Sequence, residues 1–211
     1  MNKIMSLKTL GLLIGLGFVS HQSLAANAGK FYIGADAGAT EVSGDGPGED
    51  SIFVSGQTFK DSDTSYGLHV GFQFNDWFGA ELGYSDFGSA TDRFKIKPDI
   101  VFIVAPQDTQ TVDAKGVSLT GVFGHHFSSS FSVIGVLGVS SLDYESTWSG
   151  GFSEVTGSLS EKHSFSDQGL IYGVGTRYAL NDSLNLRADI RRNEVGDFRL
   201  DSASIGLEYS F

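Results

Sequence analysis

The chain has 211 residues, with 14 basic and 25 acidic side chains, a net charge of −11 and no cysteine. So acidic a chain repels phosphate-rich surfaces, which excludes nucleic acid as a partner, and without disulfides an exported form must be held by backbone pairing and packing alone. Past residue 25 no apolar run approaches the roughly 20 residues that a membrane helix needs, so a mature chain that spans a membrane must do so as a closed barrel.

The first 25 residues have the three parts of a secretory signal. Lys3 and Lys8 give the positive start, Thr9 to Ser20 the apolar run, and Ser23-Leu24-Ala25 a small-x-small cleavage site. Cleavage after Ala25 is expected to leave one domain over residues 26–211. Losing two lysines and no acid gives 12 basic against 25 acidic residues, a net charge of −13.

The mature chain then repeats one pattern eight times, apolar and small or polar residues alternating with a period of two, which only a strand turns into two faces. In the first strand, 30–40, Phe31, Ile33, Ala35, Ala37 and Ala39 share one face, with Tyr32, Gly34, Asp36, Gly38 and Thr40 on the other. The second, 64–75, sets Leu68, Val70, Phe72 and Phe74 against Gly67, His69, Gly71 and Gln73. In the third, 77–88, Phe78, Ala80, Leu82 and Tyr84 oppose Gly79, Glu81, Gly83 and Ser85.

The fourth, 113–127, has Val117, Leu119 and Phe123 outward, and an inner face that includes Val122. The fifth, 131–143, is ambiguous, because Ile134 and Val136 would sit inside if Val133, Leu137 and Val139 face out, and the reverse register is open. The sixth, 167–180, places Leu170, Tyr172, Val174, Thr176 and Tyr178 out and Arg177 in; the seventh, 183–193, places Leu184, Leu186, Ala188 and Ile190 out against Asn185, Arg187, Asp189 and Arg191. The last ends the chain, with Ile205, Leu207, Tyr209 and Phe211 opposite Ser204, Gly206, Glu208 and Ser210.

The connections alternate in length. Short turns are expected at Asn75-Asp76, Ser128-Ser129-Ser130 and Asn181-Asp182, and long segments at 41–63, 89–112, 144–166 and 194–201. Aromatic residues gather at the short-turn end: Phe31, Phe74, Trp77, Phe127, Phe131, Tyr178, Tyr209 and Phe211. That asymmetry and girdle predict an all-β fold, an eight-stranded antiparallel up-and-down transmembrane β-barrel in the outer membrane of a Gram-negative cell.

The segments FYIGADAG, FGAELGYSDFG, AKGVSLTGVFGHHF, RYAL with LNLRADIR, and SIGLEYSF resemble the eight-stranded transmembrane domain of outer membrane protein A and related small barrels, over essentially the whole mature chain. The chain ends at Phe211, so the peptidoglycan-binding domain of the full-length protein, and a cell-wall tether, are not implied. The resemblance implies that Glu81 and Arg187 pair inside the barrel. Asp36 and Arg177 also fall on family charge positions but with the signs exchanged, and Val122 stands where the family carries a lysine.

Read from the residues alone, the inward charges are Asp36, Glu81, Asp189 and Glu208 against Arg177, Arg187 and Arg191, close to the balance that buried charges require. Two roles are open for them: a plug that holds the barrel together, or an ion path gated by the Glu81–Arg187 pair. The interior of eight strands is just wide enough for side chains to fill.

The loops carry the negative charge, net −5 over 41–63 and net −4 over 143–167, and are expected to be a solvated acidic surface. Clustered carboxylates suit calcium or magnesium, but the spacing in GDGPGEDS matches no metal loop, and no metal or cofactor is expected. In the segment 89–112, Ile100 to Val104 would extend a hairpin above the membrane, and an exposed strand edge there would suit adhesion or self-association. His126-Phe127-Ser128 has the His-x-Ser look of lipid A deacylases; with no carboxylate to orient the histidine, no enzyme activity is expected. His69 is read as a lumen hydrogen-bonder and His125 as a membrane-edge residue. The expected partners are outer-membrane lipid and lipopolysaccharide, the barrel-assembly machinery through the strand ending in Phe211, and a host or matrix ligand at the loops, the protein itself being a monomer. A small solute or ion channel is the alternative function.

Overall fold

The computed structural model describes residues 29–45, 56–95, 97, 107–150 and 159–211. The segment read as a signal peptide, most of GDGPGEDS and the apolar run 100–104 lie outside them. Eight strands make up the described residues: β1 (Lys30–Asp45), β2 (Thr58–Gln73), β3 (Phe78–Arg93), β4 (Gln107–His126), β5 (Phe131–Gly150), β6 (Leu159–Ala179), β7 (Leu184–Val195) and β8 (Phe198–Ser210). Each is antiparallel to its neighbours in chain order, and β8 pairs with β1 to close the barrel. Followed from partner to partner, Gly34, His69, Gly83, Ser118, Ser140, Gly169, Val195 and Phe198 lead back to β1 at Gly44, ten residues further along. That stagger tilts the strands and sets a bore that side chains fill.

The outward positions are those the alternation predicts. Leu82, Leu119, Val139, Val174, Ile190 and Ile205 lie on the exposed surface, and in β5 the first register holds, with Val133, Leu137 and Val139 outside and Ile134 and Val136 buried. The reverse would turn Ser132 and Ser140, both buried, toward lipid. The aromatic girdle is contiguous on the short-turn side: Phe31 packs on Phe72, Phe72 on Phe74, Phe74 on Phe78, and Trp77 on Phe123. Tyr66, Tyr84 and Tyr172 mark the opposite edge of the apolar band.

All three short turns share one device. The side-chain oxygens of Asn75, Ser128 and Asn181 stand at equivalent positions and accept from the two backbone N–H groups that open the next strand: Trp77 and Phe78, Ser130 and Phe131, Ser183 and Leu184. Asn and Ser are favoured in turns for this local bonding.

The long side departs from expectation. The strands run 12 to 21 residues, past the roughly 9–11 needed to cross the hydrocarbon, so much of 41–63, 89–112 and 144–166 is strand rather than loop. The 194–201 connection is no long loop at all. It is a turn of Gly196 and Asp197, which Gly196 permits with a φ of 56°.

One seam is sealed differently from the rest. The β2–β3 ladder runs only from Gln73↔Gly79 to Tyr66↔Asp86, and β3 bulges at Gly88, φ 76°, so that Phe87 and Ala90 both point inward. Above that point carboxylates close the gap. Asp63 accepts from Ser89 N–H at 2.9 Å, Asp61 from Thr91 N–H at 2.8 Å and Asp92 from Lys60 N–H at 3.0 Å, while Gln57 bonds both backbone groups of Lys95. Asp61 and Asp63, expected among the solvated loop acids, thus take the place of missing ladder bonds. The N–H groups of Ser89 and Thr64 hold the Asp63 carboxyl below the usual carboxylate range. A depressed carboxyl stabilises the fold above its ordinary value, near 4, and loses that contribution as pH falls through the lower folded value. Amide exchange at Ser89 and Thr91, corrected for intrinsic rate, should therefore accelerate below about pH 4, and Asp63→Asn should bring the acceleration on at neutral pH. Equal protection in both proteins at all pH values would show that the seam does not depend on this carboxylate.

Candidate functional site

The interior has two layers of opposite chemistry. The lower lies at the level of the apolar band and is ionic. Arg187 of β7, 2% exposed, is its centre: Nη1 donates to Glu81 Oε1 and to Glu208 Oε1, each at 2.6 Å, and Nε donates to Asp189 Oδ2 at 2.7 Å. Arg177 of β6 reaches the same two glutamates from below, with Nη2 at 2.9 Å from Glu81 Oε1 and Nε at 2.6 Å from Glu208 Oε2. Arg191 lies 3.3 Å from Asp189 and 3.9 Å from Glu81. Asp36 joins through His69, whose Nδ1 lies 3.6 Å from Asp36 and Nε2 3.0 Å from Glu208.

All seven residues named from the sequence therefore meet in one linked cluster, with the Glu81–Arg187 contact at its heart. The exchanged signs at Asp36 and Arg177 are accommodated within it. Arg177 turns to both glutamates and stacks over the Tyr32 ring at 5.0 Å, while Asp36 meets His69. Val122, in place of a lysine, joins Ile134 and Val136 in an apolar wall.

Two members were not named as site residues. Tyr32 donates its hydroxyl to Glu81 at 2.8 Å, and His69 bridges Asp36 and Glu208. Both stand on the inward faces that the alternation assigns, and His69 is the lumen hydrogen-bonder expected of it.

His69, Glu81 and Glu208 offer ligand atoms within 4.8 Å of one another, as a metal site would. The Arg187 guanidinium stands among them, 2.6 Å from each glutamate and 3.4 Å from His69 Nε2, and supplies the positive charge there. Below, a cavity of about 40 Å³ lined by Gln73, His126, Ser132, Asn185 and Ser210 leads from the short-turn side to Arg177.

The upper layer departs from the polar interior that the alternation suggested. Val42, Phe59, Phe87, Ala90, Phe94, Val112, Ala114, Leu142, Val195 and Leu200 form a buried apolar core across the outer bore, with Tyr144, Trp148 and Phe198 packed against it. A void of about 10 Å³ lies within it, lined by Val42, Val112, Ala114, Leu142, Val195 and Leu200 among others. Val42, Phe59, Ala90, Phe94, Val112, Val195 and Leu200 fall in segments expected to be long connections, while Phe87, Ala114 and Leu142 stand at the outer ends of expected strands, so the core forms where the strands run on past the membrane.

At the short turns, His126 Nε2 bonds the Asp76 carbonyl at 2.9 Å, and Ser128 Oγ is engaged by the turn N–H groups. His125 stands outside against Phe127, at the girdle where it was expected.

A closed antiparallel ladder, an apolar outer band between two aromatic girdles and a filled, charged bore define an integral barrel of a bacterial outer membrane. The chain belongs to the outer membrane protein beta-barrel domain family, whose model matches residues 11–211. No curated protein matches it in sequence. Among solved structures, the outer membrane protein OprG of Pseudomonas aeruginosa is 19% identical with a TM-score of 0.59, over 90% of this chain and 99% of that one. Ail, the attachment invasion locus protein of Yersinia pestis, is 16% identical with a TM-score of 0.53, over 87% of this chain and 99% of its own. A second Ail structure, in complex with the heparin analogue sucrose octasulfate, is 17% identical with a TM-score of 0.50 over the same shares. At these identities the likeness is one of fold.

Replacing Arg187 with leucine removes the cation shared by Glu81, Asp189 and Glu208. Leaving such charges buried without a partner costs about 3–5 kcal/mol, measurable as a lower urea midpoint in lipid or detergent. Glu81→Gln in the Arg187→Leu background should recover part of the loss, since it removes one of the orphaned charges. Strictly additive losses would show that the two residues do not share an interaction.

Proposed function

We propose that this protein is a sealed barrel whose work is done at the cell surface, a structural and surface-interacting outer-membrane protein exported by removal of residues 1–25. The observation that carries this reading is the double closure of the bore. An ionic layer fills it within the membrane and an apolar core fills it above, so a solute would have to displace both. Strand continues past the apolar band on the loop side, where it presents charged side chains such as Glu41, Lys60, Asp113, Lys115, Asp143 and Glu145 to solvent.

The Ail structure in complex with sucrose octasulfate supports ligand binding by a barrel of this fold, but the ligand chemistry must differ here. With a net charge of −11, this chain disfavours a polyanion and favours neutral or cationic partners. Lipopolysaccharide surrounds the barrel at the charged rim, where Arg192 is held by Asp201 and Lys115 stands 4.0 Å from Asp86. Assembly would read the last strand. Phe211 is exposed, packs edge-on against Tyr209, and donates its N–H to Phe31 O across the closing seam. We assign no catalytic step. His126 and Ser128 are held in turn contacts on the side away from the outer leaflet.

A gated ion path is the second reading, favoured by the cavity that leads from the short-turn side to Arg177. Planar-bilayer recordings of the refolded protein separate the two. We expect no unitary conductance from the wild type or from Arg187→Ala, because the apolar core still closes the bore; channels in either would establish the path. For the surface role, cells expressing the protein without residues 46–55 and 98–106 should lose binding to host matrix relative to the full chain. Equal binding would remove those segments from the interaction.

A further inference from the structure

β6 rises well above its neighbour. Its ladder with β7 begins at Gly169↔Val195, and the chain then turns at Gly196-Asp197 into β8. From Leu159 to Gln168, β6 is paired with β5 on one side and receives no strand from β7 on the other. A strand left in this way presents alternate N–H and C=O groups outward, a template for another extended chain. At the β2–β3 seam the comparable groups are closed by Asp61, Asp63, Asp92 and Gln57. On β6 the Asp167 carboxylate caps only its own neighbour, accepting from the Gln168 N–H at 2.7 Å.

The side chains around this edge have a definite character. Phe165, 50% exposed, stacks on Tyr144 at 5.4 Å with an interplanar angle of 25°, and Tyr144 packs edge-on to Phe198 at 5.2 Å, so an aromatic shelf leads inward from the edge. Asp167 and Asp197 flank that shelf. Burial, and then these two carboxylates, push the Tyr144 phenol up. On the outer face a shallow depression joins Ser164, Phe165 and Ser166 to Asp113, Lys115, Asp143 and Glu145, and Lys162 is already engaged by Glu145 at 2.6 Å. Those five acids against two lysines give a local charge of −3.

We infer that the edge of β6 from Ser164 to Asp167 is a docking strand for an extended, basic segment of another protein, a partner class that rests on the surface role proposed above. The backbone supplies the ladder, the carboxylates select lysine or arginine at alternate positions, and the Phe165 ring receives a cation on its face. A second copy of this chain fits poorly, because joining two such edges would bring two faces of the same negative sign together.

The test uses the full mature chain refolded in nanodiscs of neutral phosphatidylcholine. The probes are three synthetic peptides: an alternating Lys-Val nonamer, its Glu-Val counterpart, and the Lys-Val nonamer with two central residues replaced by proline. The basic peptide should bind, in a manner weakened by salt, and should protect the amides of residues 164–167 from exchange. The acidic and the proline-interrupted peptides should do neither. Asp167→Asn with Asp197→Asn should weaken binding about tenfold, since each removes one exposed carboxylate that would face a cation of the peptide. Phe165→Ala should weaken it further, while the gel mobility of the unheated barrel stays unchanged.

Binding without protection at 164–167, or equal binding of the proline-interrupted peptide, would overturn the docking strand. So would protection of these amides in the free protein, which would mean that another segment of the chain, or a second copy detected by sedimentation, already covers the edge. Channel activity of the wild-type barrel would count against the surface role alone, and a negative peptide titration against the docking strand alone.

Discussion

The constraint on which the rest depends is that no backbone N–H or C=O can stand unpaired in hydrocarbon. Eight strands in simple chain-order pairing meet it only because β8 returns to β1 with a stagger of ten residues. Closure then fixes everything inside. It tilts the strands, sets a narrow bore, and sends every second side chain into that bore whether or not its charge is welcome there. Above the membrane water can satisfy the backbone, and there the chain relaxes the rule. The β2–β3 ladder gives way to side-chain caps, and β6 runs on past β7.

The interior answers the constraint in two ways. Where the wall faces lipid, the bore is filled by charges that satisfy one another: Arg187 and Arg177 between Glu81 and Glu208, Arg191 and Arg187 on Asp189, His69 between Asp36 and Glu208. Such a cluster holds the strands that contribute to it in fixed register, since moving one member leaves another buried and alone. Above the membrane the filling changes to Phe59, Phe87, Phe94 and their aliphatic neighbours, a core of the kind a soluble domain uses. Two fillings of unlike chemistry respond to different perturbations, so no single change of charge opens the whole bore.

With the bore closed, the chemistry open to a partner lies at the rim. There the excess of acid sets the sign of what can approach, and the unequal heights of the strands decide where backbone is exposed. Acidic residues do two separate jobs in this region. Some close a seam of the barrel itself, as Asp61 and Asp63 do, and others, such as Asp167 and Asp197, flank an aromatic shelf beside an uncovered strand.

By itself the sequence determined the fold class, the inward and outward faces of seven of the eight strands and the positions of the three short turns, because an alternation of period two and a local Asn or Ser cap are properties of neighbouring residues; in β5, apolar on both faces, the register was decided by the closed barrel. The sequence also named the charged residues of the bore by the same parity. What only the tertiary structure decided depends on residues far apart in the chain. Which carboxylate meets which guanidinium is set by the stagger between strands, as is the choice of Glu81 for the inward Tyr32 hydroxyl and of Asp36 and Glu208 for the inward His69. The apolar core was hidden because most of its members lie in or beyond strand extensions that local pattern marks as connections, and Phe59 and Phe94 share an interior only once the barrel brings the outer ends of β2 and β3 together. The tight turn at Gly196-Asp197 and the uncovered edge of β6 follow from the relative heights of neighbouring strands, which closure of the barrel fixes and no local pattern records.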